Sequence, residues 1–347
     1  MGVRTSRRSI LAGPGSSPYI SLATRWYDGG MTIVKLQQLL QEGFFGPECH
    51  PDMVLSVSTV CSPFRGTQIV YTLGERIDAA PTVRRLSVGS ALAKGVHLLC
   101  YLSPLISRMI DLRAESRGLS YRETSVASLI RQLWRSDWAE SRDALPFDAT
   151  FEAADDREAG GEGRPHGRTF YRSYVACMTE RTDAAALTHT PTVGHLLSGP
   201  LFLCSRRMGS FDFSTLRPTP SFLLQPDVPI FGMNFADQKT EKYDLDIEGG
   251  IPIRASRLGE EYWANDGVVP VFSQWHPYGC GATQCCHHAS EDRDSISFCY
   301  EPGIWHVHQL EDASHTSIMP FWWGNQRQQQ FWDDFGDWLR HVDASMP

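Results

Sequence analysis

The sequence has no uninterrupted apolar run long enough to cross a membrane. A spanning helix needs about 20 mostly apolar residues, and the most apolar window, residues 89–110, is broken by polar or helix-breaking residues. The interruptions are Lys94, His97, Pro104 and Arg108. The first 18 residues also lack the apolar stretch of a secretory signal. We therefore predict no transmembrane segment and no signal peptide, and the localisation stays open.

Clustered positive charge and a cysteine framework are also missing. Lys and Arg total 32 against 40 for Asp and Glu, a formal net charge of -8, and they are scattered along the chain. Nucleic acid is therefore not an expected partner. Nine cysteines in 347 residues are an odd number and too sparse for a disulfide scaffold. With 41% hydrophobic residues the chain can bury a sizeable core, while disulfide pairing and oligomeric state stay open.

Short apolar runs that alternate with helical patterns predict an α/β fold with a mostly parallel sheet. The first helix has Ile33, Leu36 and Leu40 on one face, and a last helix spans residues 328–342. The predicted strands are residues 19–24, 53–60, 169–177 and 304–310.

Long connections separate these elements. We predict an apolar helix pair in residues 89–110, a polar linker in residues 154–168 and a long Pro- and Gly-rich loop in residues 179–267. Loops this long in a compact domain are more often lids and binding elements than plain connections.

Three features stand in the chain order of a hydrolase triad. A Gly29-Gly30 turn before the first helix is the local architecture that holds a nucleophile, and Asp266 and His315 follow later in the chain. The turn "WYDGG" contains no serine. Spacing alone favours a turn aspartate at Asp266 that caps the next segment. His315 follows a predicted strand and should lie at the carboxyl edge of the sheet, where an imidazole is suited to general base work.

Five stretches together resemble the zinc-containing lipases of the α/β-hydrolase superfamily, specifically the thermostable bacterial lipases and their fungal lipase-like relatives. The resemblance runs from about Arg25 to the C-terminus, and five matches in the correct order are more specific than any one of them. The matching stretches are residues 31–46, 57–75, 169–181, 263–270 and 313–322.

The resemblance implies a nucleophile elbow of the form Gly-His-Ser-x-Gly-Gly. Gly29 and Gly30 match its paired glycines, but Tyr27 stands at the serine position, Trp26 at the histidine and Arg25 at the leading glycine. A bulky phenol in a strained turn is poorly suited to carry an acyl group, so covalent catalysis by Tyr27 is not expected.

The resemblance also assigns the family's acid to Asp266 and its base to His315, so that Asp266 would orient the imidazole that activates a serine. Of the oxyanion donors, only the backbone N-H of Asp28 remains. The turn "CSPFRGT", residues 61–67, matches a structural turn of the family.

The family's zinc is held by two aspartates and two histidines, and only Asp111 matches one of these ligands. The other three lie upstream of the elbow in the family. We therefore expect no intact zinc site and no cofactor in this chain, whereas the complete family fold holds zinc. A separate cluster, Cys280, Cys285, Cys286, His287 and His288, lacks paired C-x-x-C spacing. We interpret it as a surface loop, and a metal-binding module built on it is the remotest alternative.

The boundaries of the resemblance predict the domain organisation. Residues 1–18 are an expected unstructured leader, and residues 19–347 the C-terminal part of an α/β-hydrolase domain, with a lid-like insertion at about 85–165. Because strands upstream of the elbow are missing, the first strand should become an open edge. A truncated or misassigned start of the chain is the favoured explanation.

The expected function is lipase-like hydrolysis of carboxylic esters such as triacylglycerols, with lipid or ester as substrate. As written, the chain should be inactive because the elbow serine is absent, so whether it is an enzyme stays undecided. The alternative is a noncatalytic lipid- or protein-binding relative.

Overall fold

The computed structural model describes residues 20–24, 29–106, 120–136, 139–183, 187–224, 258–288, 300–318 and 326–345. The strands are β1 (Ile20–Thr24), β2 (Val54–Val60), β3 (Phe170–Ala176), β4 (Thr179–Arg181), β5 (His189–Pro191), β6 (Cys285–His288) and β7 (Trp305–Leu310). The helices are α1 (Gly29–Gln41), α2 (Ile69–Leu73), α3 (Val88–Tyr101), α4 (Ser103–Ile106), α5 (Val126–Trp134), α6 (Leu145–Asp148), α7 (Phe151–Ala159), α8 (Pro200–Met208), α9 (Ser221–Leu224), α10 (Val271–Trp275) and α11 (Gln326–Ala344).

The main sheet has five strands in the order β1-β2-β3-β7-β6, and all its pairs are parallel. The bounds of the four predicted strands are confirmed to within one or two residues. The α/β class and the mostly parallel sheet are also confirmed. Within the described part of the chain, β1 pairs only with β2 and forms one edge of the sheet. Strands β4 and β5 form a separate antiparallel pair.

Two predicted connections differ from the structure. The first part of the predicted linker at 154–168 belongs to helix α7, which ends at Ala159; Thr150 caps this helix by accepting a hydrogen bond from the Ala153 N-H, and Ala153 and Ala154 are buried. The supposed loop at 179–267 contains strands β4 and β5 and helices α8 and α9 in the part that is described. Pro200 at the first turn of α8 begins that helix instead of preventing it.

The sheet is covered on both faces because successive side chains of a strand alternate between them. On β3, Tyr171 and Val175 point into the larger core, where Tyr171 packs against Trp305 of β7 at a ring distance of 4.8 Å. Phe170 and Tyr174 point the other way, toward α11. Strands β2 and β3 are buried along their whole length, as expected for the middle of a parallel sheet.

A buried polar network fixes α1 against the sheet. The Tyr171 hydroxyl donates to Gln37 Oε1 of α1 at 2.6 Å and accepts from the His166 N-H at 2.7 Å. Gln37 Nε2 in turn donates to Thr169 Oγ1, and Thr169 Oγ1 donates to the Val54 carbonyl. Burial raises the pKa of Tyr171 to about 12, so the phenol keeps its donor proton over the ordinary pH range.

Helices α3 and α5 pack on each other and leave apolar side chains exposed. On α5, Val126, Ile130 and Trp134 are 61%, 62% and 72% exposed and follow one another at four-residue spacing. On α3, Leu92 and Leu99 are also more than half exposed. Among the described helices, none is both long enough and apolar enough to cross a membrane.

Removing the Tyr171 hydroxyl tests the network. In Tyr171→Phe, Gln37 Oε1 and the His166 N-H lose their buried partner, so we expect the free energy of unfolding to fall by about 1–3 kcal/mol. Urea unfolding followed by circular dichroism measures it. The control is Tyr121→Phe, an exposed tyrosine, which should change stability little. Equal losses in the two variants would contradict the role of the buried hydroxyl.

Candidate active site

Asp266 and His315 lie together at the carboxyl edge of the sheet. His315 follows β7, and the loop of Asp266 is anchored to the end of β3, where the Met178 N-H donates to the Asn265 carbonyl at 2.9 Å. Strands β3 and β7 are parallel neighbours, with Ala176 opposite Leu310 at their carboxyl ends. Both segments therefore emerge from the same edge of the sheet.

The Asp266 loop is held rigidly by buried neighbours. Asn265 Oδ1 accepts from the Gly267 N-H, and Asn265 Nδ2 donates to the carbonyls of Ser205 and Trp263. Gly267 has a φ of +96°, and a Cβ there would come within 3.1 Å of side-chain and backbone atoms of Leu201. The glycine of the Asn-Asp-Gly turn is therefore required by both conformation and space.

The turn at residues 61–67 supports this loop from the neighbouring strand. The Thr67 hydroxyl donates to the Val268 carbonyl at 2.5 Å, and the Phe64 N-H donates to the Ser273 carbonyl at 3.0 Å. Gly66 has a φ of +82°, and a Cβ would come within 2.9 Å of the Thr150 carbonyl oxygen. The turn thus has a positioning contact with the Asp266 loop and does not itself contain Asp266 or His315.

Asp266 and His315 form a buried hydrogen-bonded pair. His315 Nδ1 lies 2.8 Å from Asp266 Oδ2, and the His315 N-H donates to the Asp266 carbonyl at 2.8 Å. The Asp266 side chain is fully buried, and the His315 side chain is 8% exposed. Asp266 Oδ1 accepts from the N-H groups of Val268 and Val269 at 2.9 and 2.7 Å. The carboxylate is therefore fixed as an acceptor, and the ring is tied through Nδ1.

The charge of the pair shifts the titration of the histidine. Burial lowers the pKa of His315, but the adjacent Asp266 carboxylate and its hydrogen bond raise it by more, so the net direction is upward. The carboxylate thus stabilises the imidazolium, which is the form that a general base takes after it accepts a proton. With Nδ1 directed to Asp266, Nε2 is the ring nitrogen placed to exchange that proton.

A third side chain, Cys61, lies at the same place. The Cys61 thiol, an Asp266 carboxylate oxygen and a His315 ring nitrogen all lie within 4.8 Å of one another. Cys61 directly follows β2 and has a φ of 52°, a left-handed conformation that is uncommon for a residue other than glycine. We did not predict it as a site residue. Its position after a strand that neighbours β3 was the available signal.

The other predicted site residues lie outside the described residues. These are Tyr27 at the nucleophile position, Asp28 with its backbone N-H, and Asp111 as the single family zinc ligand. In the described part of the chain, none of the groups of side chains that could hold a metal combines two aspartates with two histidines.

The predicted surface loop at residues 280–288 is wrong. Residues 285–288 form strand β6 at the edge of the main sheet, and Cys280 and Cys285 are only 7% and 8% exposed. The run "CCHH" does not resemble an ordinary strand, but pairing with β7 gives its backbone hydrogen-bond partners. The alternation of the strand then turns Cys285 and His287 toward one face of the sheet.

Removing the charge of Asp266 tests the pair. The folded pKa of His315 lies above its unfolded value of about 6.5, so the stabilisation by the charged pair is present below that pH and is lost as pH rises through the folded pKa. Asp266→Asn should therefore lower the pKa of His315 in an NMR titration. It should also lower the free energy of unfolding by roughly 3 kcal/mol at pH values below the unfolded pKa, and by less at alkaline pH.

The matched control is the pair of Asp312 and His195, whose closest atoms are 3.0 Å apart and in which the Asp312 side chain is 48% exposed. Exposed ion pairs contribute little, so Asp312→Asn should change stability by under about 1 kcal/mol. A His315 pKa that does not move in Asp266→Asn would contradict the electrostatic coupling.

Comparison with known proteins finds a likeness in structure and none in sequence family. No family model matches the sequence, and no curated protein matches it significantly. The chain is similar to the crystal structure of Staphylococcus hyicus lipase, with a TM-score of 0.58 and 16% identity over 91% of this chain and 68% of that one.

Two weaker likenesses are to EstA from Clostridium botulinum (TM-score 0.47, 18% identity, 90% of this chain and 62% of that one) and to lipase 1 from Pelosinus fermentans (0.43, 17%, 83% and 63%). This chain thus spans less than two thirds of the length of these two structures. The likeness to the staphylococcal lipase shows that the chain has an α/β fold like that of a bacterial lipase, and it confirms the resemblance to lipases at the level of the fold.

Proposed function

We propose that the chain carries the acid and the base of a lipase-like carboxylic ester hydrolase, on the C-terminal part of an α/β-hydrolase domain. The observation that carries the proposal is the buried pair of Asp266 and His315, with 2.8 Å between carboxylate and imidazole at the carboxyl edge of the sheet. The lipase-like fold supports the substrate class, which is a carboxylic ester of a lipid such as a triacylglycerol.

The pair has the chemistry that acyl transfer requires. Asp266 holds the His315 ring in one orientation and stabilises its protonated form. His315 Nε2 takes the proton of an attacking hydroxyl and returns it to the departing alkoxide, so no net proton is consumed in the acylation step. Water then repeats the same proton exchange to release the acid.

The chain as written lacks the acyl carrier in this scheme. Tyr27 occupies the serine position of the elbow, and a phenol at that turn is a poor acyl carrier. The backbone N-H of Asp28 is the one oxyanion donor that the resemblance supplies. We therefore propose that the chain with Tyr27 at this position does not turn over esters, and that the family activity requires a serine there.

A second candidate function is binding to lipid without catalysis. It is favoured by the exposed apolar stripe of α5, formed by Val126, Ile130 and Trp134. This stripe lies in the proposed lid-like insertion at about 85–165. An apolar surface of this kind fits acyl chains at a lipid surface, and its contact with lipid does not depend on a nucleophile.

Rebuilding the elbow tests the hydrolase proposal. The triple variant Arg25→Gly, Trp26→His, Tyr27→Ser restores the Gly-His-Ser-x-Gly-Gly pattern. We expect a fluorophosphonate probe to label the introduced serine and short-chain nitrophenyl esters to be hydrolysed slowly. The unaltered chain, which has Tyr27 at this position, should show neither labelling nor turnover in the same assays.

Adding His315→Ala to the triple variant should abolish both labelling and turnover. Adding His195→Ala, which removes the histidine of the control pair with Asp312, should leave them unchanged. Turnover that survives His315→Ala would disprove the base assignment. An activity of the unaltered chain that disappears in Cys61→Ala would show a thiol nucleophile and contradict the proposed inactivity.

Vesicle binding tests the second function. In Ile130→Ser/Trp134→Ser, two exposed apolar side chains of the α5 stripe are removed, and we expect affinity for phosphatidylcholine vesicles to fall about tenfold or more. The control is Val193→Ser/Leu197→Ser, which removes side chains that are 81% and 99% exposed elsewhere. Cosedimentation measures both. Equal weakening in the two double variants would mean that the stripe is not the lipid-binding surface.

A further inference from the structure

Two cysteines and two histidines converge beside the edge strand of the sheet. They are His276, Cys280, Cys285 and His287, and one ligand atom of each lies within 4.8 Å of all the others. His276, Cys280 and Cys285 are buried, and His287 is half-buried. Both cysteines are free thiols in the structure. None of these four residues has a part in the proposed ester hydrolysis.

The distances within the cluster suit a tetrahedral metal ion. Cys280 Sγ lies 3.6 Å from His276 Nε2 and 3.4 Å from His287 Nε2. A tetrahedral zinc ion with bonds of about 2.3 Å to sulfur and about 2.05 Å to nitrogen separates those two ligand atoms by about 3.6 Å. A thiol has one proton and can donate it to one imidazole, whereas Cys280 faces two imidazoles and a second cysteine.

The four ligands come from the short connection between α10 and β6 and from β6 itself. His276 directly follows α10, and Cys280 lies in the turn between α10 and β6. Cys285 and His287 are two residues apart on β6, so they point to the same face of the sheet. Cys285 lies in the larger core. The site thus joins the end of a helix to the edge strand.

The surroundings orient one ligand and exclude water. His276 Nδ1 lies 2.6 Å from the Tyr278 carbonyl, which fixes the proton on Nδ1 and directs Nε2 to the cluster. This backbone contact is the outer-shell partner that metal-bound histidines commonly have. The rings of Trp275 and Trp305 lie 4.8 Å from the His287 ring and 6.5 Å from the His276 ring, respectively. Two thiolates would neutralise a divalent ion, so the occupied site would carry no net charge.

We propose a structural zinc site with four ligands: His276, Cys280, Cys285 and His287. The bound ion links the carboxyl end of α10 to edge strand β6. All four ligands come from this chain, and the closed set leaves no position for a substrate, as in structural zinc sites. Sulfur and imidazole ligands favour zinc over hard cations such as magnesium or calcium. The site differs from the lipase-family zinc ligand set both in its residues and in its position.

A second group on the opposite face of β6 is the natural comparison. Cys286, His288 and His306 also lie close together. Within this group, His288 Nε2 and His306 Nδ1 are 3.0 Å apart, which one hydrogen bond between neutral rings explains. This group offers three ligand atoms, against four in the proposed site. The adjacent residue Cys286 is therefore a matched control for Cys285.

The experiment measures metal in the purified full chain produced in zinc-supplemented medium without an affinity tag that binds metal. Elemental analysis by mass spectrometry should find one zinc ion per chain, and X-ray absorption should show two sulfur and two nitrogen neighbours. Cys285→Ser and Cys280→Ser should each lose the zinc, whereas Cys286→Ser should keep it. Replacement of zinc by cobalt should give the visible bands of tetrahedral cobalt thiolate.

Several outcomes would overturn the proposal. Elemental analysis that finds no zinc, or another metal in its place, would do so, as would a chain mass that shows a disulfide between Cys280 and Cys285. Zinc that is lost in Cys286→Ser and retained in Cys285→Ser would also contradict the ligand assignment. X-ray absorption on the unaltered chain without sulfur neighbours would also overturn it, and this measurement does not depend on a variant that folds. Zinc content and ester hydrolysis are separate readouts, so failure of one proposal leaves the other standing.

Discussion

The parallel register of β2, β3 and β7 is the constraint on which the candidate site depends. Parallel neighbours end at the same edge, so the segments that follow these strands meet there. Cys61 comes from the first segment, the Asp266 loop from the second and His315 from the third. A shift of one residue in the pairing of β7 would move the His315 segment along the edge and also reverse the faces of its strand.

The sequence allowed us to predict the four longer strands because each is a short apolar or alternating run rich in β-branched or aromatic residues. Strand β2, "VLSVSTV", is buried along its whole length. It did not reveal β6, since "CCHH" has neither β-branched nor aromatic residues and obtains its strand conformation from pairing with β7. The linker was misassigned because the acidic surface of α7 dominates its composition, while Phe151 and Ala154 are buried.

The position of Asp266 shows why spacing alone was ambiguous. As a turn aspartate it accepts the N-H groups of Val268 and Val269 through Oδ1, as the local pattern indicates. Through Oδ2 it contacts His315, which lies in another part of the chain and which no local pattern identifies. The interpretation as a turn aspartate therefore concerns Oδ1, and the interpretation as the partner of His315 concerns Oδ2 of the same carboxylate. The proximity of Cys61 likewise depends on strand order, which short patterns do not contain.

The sheet differs in character between its middle and its edges. Strands β2 and β3 are buried along their length, and the site lies at the end of this rigid middle. Strand β6, by contrast, is a four-residue edge strand. In the described sheet it forms backbone hydrogen bonds with one neighbouring strand, β7. A metal ion bound by its cysteine and histidine would stabilise the part of the sheet that has the fewest hydrogen bonds of its own.

The separation of β3 and β7 along the chain has a consequence for the order of folding. Their pairing closes a long loop, and the entropy cost of such closure must be met before the contact forms. Until β7 docks, the Asp266 carboxylate has no imidazole partner, and a buried carboxylate without its partner is strongly disfavoured. Partly folded chains are therefore penalised at this carboxylate, so docking of β7 and burial of Asp266 become a single cooperative event.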